Sequence, residues 1–135
     1  MKKIIACALI IACLFSMAAC DRSEDIQNII VNKTFVYEKE GFGSAFTISI
    51  NGDGTFSYYE GGFSSYIGTG KWVLEDDILT LSDDDEIGYP LVNRFKVKDG
   101  ELIFIAEDST NFLYIKVADG ERFVFWNDME SSAAE

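Results

Sequence analysis

An all-β fold is what this sequence predicts: an antiparallel meander of eight or nine short strands, closed or nearly closed into an up-and-down barrel, with a short N-terminal helix. Three observations carry it. After Thr34, apolar and polar residues alternate with a period of two. Asn51-Gly52, Asp53-Gly54, Asp99-Gly100 and Asp119-Gly120 punctuate the alternation with residues that accept the positive φ angles of tight hairpins. No segment after Asn32 reads as a helix of useful length. A β-sandwich is the alternative, but closure removes the exposed edges that invite aggregation. With 135 residues, 48% of them apolar and 14% aromatic, one packed domain is expected.

The chain opens on Lys2 and Lys3, an apolar stretch from Ile4 to Phe15, and then Ser16-Met17-Ala18-Ala19-Cys20. A positive start, an apolar run too short to span a bilayer comfortably and small residues at its end have the form of a signal peptide. A retained membrane helix, or a structural or redox role for Cys20, are the other readings. Cys7 and Cys13 lie in the segment that cleavage discards, and Cys20 alone cannot close an internal disulfide. The run Met17-Ala18-Ala19-Cys20 resembles the lipobox of bacterial lipoproteins. That resemblance implies cleavage before Cys20 and diacylglyceryl attachment to its sulfur. The protein is then fastened to the extracytoplasmic face of the cell membrane through a covalent lipid on Cys20. The expected organisation is a signal peptide over 1–19, a lipidated cysteine, tether and short helix over 20–32, a barrel over 33–126 and a flexible tail over 127–135.

Ile26, Ile29, Ile30 and Val31 recur at i, i+3 and i+4, which suits one or two helical turns covering a barrel end. Next, Phe46, Ile48 and Ile50 share one strand face, with Thr47 and Ser49 on the other. Phe56 and Tyr58 face one way on the return strand, and Trp72 and Leu74 on the one after it. Asp76-Asp77 turns the chain into "ILTLS". Counted with the stretch from Thr34 that carries Phe35 and Tyr37, "LVNRFKVK", "ELIFIA", "NFLYIKV" and "ERFVFW" complete nine candidate strands. The aromatic side chains are bulky enough to fill a narrow lumen, so a packed interior is favoured over a ligand cavity.

Formal net charge is −12, and loss of Lys2 and Lys3 with the signal takes it to −14. Such a surface repels phosphate backbones, and no nucleic-acid partner is expected. The chain has no histidine, so the commonest general base and zinc ligand are missing and a Ser–His pair cannot form. Its carboxylate pairs fall in turns rather than across a groove. No catalytic residue, metal or cofactor is expected, and the reading is non-enzymatic. Two features stand out as candidate contacts. "EGGFSSYIGTG" at 60–70 is a Gly/Ser-rich loop carrying Phe63 and Tyr66, with Tyr58 and Trp72 on the flanking strands. Asp83, Asp84, Asp85 and Glu86 form an acidic patch suited to a cationic partner.

"DGTFSYY", "GTGKWVLEDDILTLS", "FKVKDGELIFI" and "VADGERFVFW" together resemble small lipocalin-like (calycin-type) lipoproteins of Gram-positive anaerobes. The resemblance covers most of residues 34 to 126 and implies a barrel without a defined reaction or ligand. The expected function is therefore a membrane-anchored, non-catalytic binding module for an unknown protein or small apolar ligand. The alternative is an envelope inhibitor or immunity-type protein that meets a cationic protein or peptide with its acidic surface.

Overall fold

The computed structural model describes residues 24–39, 46–63, 65–83 and 91–127. Cys20, the signal-like run before it, the acidic residues Asp84, Asp85 and Glu86, and the tail beyond Asn127 lie outside the described residues. Residues 24–30 form a short helix, α1. Eight strands follow: β1 Lys33–Tyr37, β2 Thr47–Ile50, β3 Thr55–Tyr59, β4 Ile67–Glu75, β5 Ile78–Asp83, β6 Val92–Lys98, β7 Glu101–Ile105 and β8 Arg122–Phe125. Each pairs antiparallel with its sequence neighbour, and β1 pairs with β8 to close the barrel. At that seam Phe35 lies opposite Phe125 and Tyr37 opposite Phe123.

The meander gives the barrel two unlike ends. One end holds the turns at 51–54, 76–77 and 99–100, where Asp76, Asp99 and Gly100 take positive φ angles of 56°, 53° and 76°. The helix α1 docks at this end. Ile30 is fully buried, and Ile26 and Val31 pack beside it. Asn32 ends the helix in the left-handed region at φ 58°. Its backbone N–H then donates to Ile50 O at 2.7 Å, while its side-chain oxygen accepts from Gly52 N–H at 3.0 Å. The predicted apolar stripe thus splits: Ile26 and Ile30 face the barrel, whereas Ile29 is 40% exposed.

The other end carries the long connections, and here the ninth predicted strand is corrected. "NFLYIKV" at 111–117 is irregular. Asn111 sits at φ 69°, and burial does not alternate: Phe112 and Val117 are buried, while Leu113 and Tyr114 lie exposed next to each other. Side chains, not a neighbouring strand, satisfy this backbone. Asn93 Oδ1 accepts from Asn111 N–H, Asn111 Oδ1 from the Phe112 and Val117 N–H groups, and Glu60 Oε1 from the Tyr114 and Ile115 N–H groups. The segment lays Phe112 into the barrel mouth, 1% exposed, with ring centroids of Phe46 at 4.8 Å and Tyr58 at 5.2 Å.

Between helix and plug the lumen is filled. Phe35, Phe56, Tyr58, Phe95, Phe104 and Phe123 are all at most 2% exposed. Edge-on contacts recur, as between Phe95 and Phe123 at 5.5 Å and 89° and between Phe46 and Phe123 at 5.0 Å and 86°, the geometry that ring quadrupoles favour. The interior is a packed aromatic core, as the bulk of these side chains predicts.

Candidate functional site

The stretch Gly68-Thr69-Gly70 of β4 is where the wall is thinnest. Period two turns both glycines inward, directly opposite Tyr58 and Phe56 of β3. A Cβ at Gly68 would lie 2.0 Å from the Tyr58 ring, and one at Gly70 would lie 2.1 Å from Ser82 O. The Phe56 and Tyr58 rings therefore stack against each other, 6.3 Å apart and 16° from parallel, in space that any other residue on β4 would occupy. "GTG" is thus a packing device that lets two large rings lie flat inside a narrow barrel.

On the wall at this position, where β3, β4 and the end of β5 meet, runs a groove of roughly 480 Å³. Thr55 and Ser57 of β3 face Lys71 and Thr69 of β4 across it, in direct register. Tyr66 and Ile67 line it toward the loop end, Asn51 toward the helix end, and Gly70 and Asp83 lie between β4 and β5. Thr55 is fixed: its hydroxyl donates to Asp53 Oδ1 at 2.6 Å and accepts from Asn51 Nδ2 at 3.0 Å. Those bonds from the Thr55 hydroxyl and amide hold the Asp53 carboxyl below its ordinary range. Ile67 is 61% exposed, the largest exposure among the big apolar side chains described. A second groove of roughly 520 Å³ lies near the barrel seam, lined by Lys33, Phe125 and Trp126, with Lys33 Nζ 5.0 Å from the Phe125 ring centre.

The sequence-predicted contact residues fall in separate places. Tyr58 is a core residue, 2% exposed. Tyr66 is half-buried with its ring 6.4 Å from that of Tyr58, so these two are brought together. Trp72 lies four residues further along β4 than Gly68, toward the helix end. Its indole N–H donates to Asn51 O at 2.9 Å and its backbone N–H to Gly54 O at 3.0 Å, so it braces the 51–54 turn. Phe63 closes a 3-10 turn, Gly61–Phe63, and its side chain lies outside the described residues. Of the acidic patch, Asp83 ends β5 and is half-buried.

Three polar groups escape a sequence reading. Glu60 and Asn93 are 1% and 0% exposed, and among the described residues the Glu60 Oε2 and Asn93 Nδ2 atoms have no hydrogen-bond partner. Glu60 stands two residues beyond Tyr58, so the period of β3 already points it inward. Glu121 is the third. It accepts from the Tyr37 hydroxyl, from Ala118 N–H at 2.8 Å and from Lys39 Nζ at 3.2 Å. Burial pushes the Tyr37 hydroxyl well above its ordinary range, and the bond to Glu121 adds to this. At Glu121 burial acts upward too, but the hydrogen bonds outweigh it and hold the carboxyl below its usual value.

Among the described residues no three histidine, cysteine, aspartate or glutamate side chains are grouped to hold a metal ion, and no helix is long and apolar enough to cross a membrane. Comparison of the chain with protein-family models, with curated proteins and with solved structures returns no match.

Proposed function

We propose that this chain is a lipid-anchored, extracytoplasmic, non-catalytic binding module. The observation that carries the reading is the polarity of the barrel. The chain enters at the end closed by α1, three residues after Cys20, whereas the long connections and the exposed Leu113, Tyr114 and Ile67 belong to the opposite end. A tether of three residues reaches about 10 Å when extended. With Cys20 lipidated, the helix end therefore stands close to the bilayer and the loop end looks away from it. A rigid barrel that holds its long connections clear of the membrane suits recognition. The lipobox-like run and the resemblance to lipocalin-like lipoproteins support the same reading.

The test is Cys20→Ser in the full chain, expressed in a bacterial host and fractionated. The expected outcome is loss of the protein from the membrane fraction, with the signal uncut at residue 20 and no lipid mass on the chain. A variant that is cleaved normally and stays with the membrane overturns the anchor.

A further inference from the structure

A ligand has few places to bind on this barrel. Closure leaves no strand edge for an extended peptide to join. The lumen is filled by the protein's own rings, with Phe112 in its mouth. On the wall, the β3–β4 groove brings polar and apolar side chains together.

Its polar groups stand on two paired strands, so their spacing is set by the ladder and not by loop motion. Ser57 and Thr69 stand opposite each other in register, and Thr55 and Asn51 continue the groove lining toward the helix end. A hydroxyl both donates and accepts, and an amide offers both functions at once. Such a lining matches a ligand that is itself dense in hydroxyls. Toward the loop end the lining changes to the half-buried Tyr66 ring and the exposed Ile67 side chain, an apolar platform beside the hydroxyls. One cation, Lys71, and one anion, Asp83, offset each other, so the groove itself selects neither charge. The net charge of −12 on the whole chain turns anionic ligands away.

We infer that this groove binds a short neutral saccharide, with pyranose hydroxyls on Ser57, Thr69 and Asn51 and the ring's C–H face against Tyr66 and Ile67. A volume of roughly 480 Å³ falls within the range of small-molecule clefts and gives room for a short oligomer. The inference rests on the non-catalytic binding reading and deepens it by naming the ligand class.

Trp72 supplies the readout, because its indole is bonded to the carbonyl of Asn51 in the groove lining. The chain has two tryptophans, and Trp126→Phe leaves Trp72 as the sole tryptophan. The full chain carrying that change, in detergent, is titrated with cellobiose and with N,N′-diacetylchitobiose as neutral probes and with digalacturonic acid as the anionic one. Saturation-transfer NMR on the same samples reports binding independently of the indole. At least one neutral probe is expected to bind saturably and the acid about tenfold more weakly or not at all. Ser57→Ala together with Thr69→Val should weaken binding about tenfold, the loss of one or two net hydrogen bonds. Val73→Thr, outward on β4 beyond the groove, should leave it unchanged. Absence of saturable binding in both measurements, or equal affinity in the Ser57/Thr69 variant, overturns the saccharide site and leaves the anchor untouched. Hydrolysis of a probe to monosaccharides would instead overturn the non-catalytic reading while keeping the groove as the site.

Discussion

Gly68 shows how a single absent side chain shapes the barrel. Its exposure is small and its backbone is ordinary for a strand, so the need for glycine comes entirely from the Tyr58 ring lying where a Cβ would project. Gly68→Ala is expected to cost about 1–3 kcal/mol, the usual penalty for overpacking a core that cannot expand. Gly120 offers the contrast. Nothing lies within 4 Å of a Cβ there, and only its φ of 81° favours glycine. Its replacement by alanine should cost less, of order 1 kcal/mol. Urea denaturation of the two variants checks the order; a Gly120 variant that loses more than the Gly68 variant refutes this account of "GTG".

The 106–121 connection between β7 and β8 is the element that the pattern misleads on. Its apolar residues at 112–117 have strand composition, yet it turns inward as a plug because Asn93 and Glu60 offer its backbone an alternative to a ladder. Glu60→Ala removes the acceptor of two N–H groups and is expected to cost about 1–3 kcal/mol. Glu60→Gln keeps a carbonyl acceptor for both N–H groups, so it should cost less than the alanine change. Hydrogen exchange at Tyr114 and Ile115 is the measurement: fast in the alanine variant, slow in the glutamine one. Equal protection in both would show that the plug is held by Phe112 alone. Most strands were legible because a Gly, Asp or Asn turn adjoins them and they alternate cleanly, as in β2 and β3; β1, buried over Phe35, Val36 and Tyr37, does not alternate. The plug was not legible, since two of the side chains that hold its backbone, Asn93 and Glu60, stand 18 and 54 or more positions away. Nor was the wall groove. Thr55, Ser57, Thr69 and Lys71 read as an ordinary solvent face until the register sets Thr55 opposite Lys71 and Ser57 opposite Thr69.

Across the whole molecule, the Tyr37–Glu121 pair ties β1 to the residue before β8, next to the closing seam. It sets a stability window with two sides. The folded-state value of Glu121 lies below its unfolded one, so its contribution is complete above the ordinary carboxylate range and fades as pH falls through the lowered value. Tyr37 is raised when folded, so its contribution is complete below the ordinary tyrosine range and fades as pH rises through the raised value. The urea midpoint should fall on both sides of a plateau, and Glu121→Gln should flatten the acid limb; an unchanged acid limb would place its origin elsewhere. Closure has one more consequence, in the order of events during folding. Seven of the eight strand pairings join neighbours in sequence, while Phe35 must find Phe125, ninety positions away. Hairpins can form locally and early, whereas the last pairing closes the longest loop and is the least local step. Until it is made, β1 and β8 are two open edges on a chain rich in apolar strands, and the window for misassociation lasts as long as that single step.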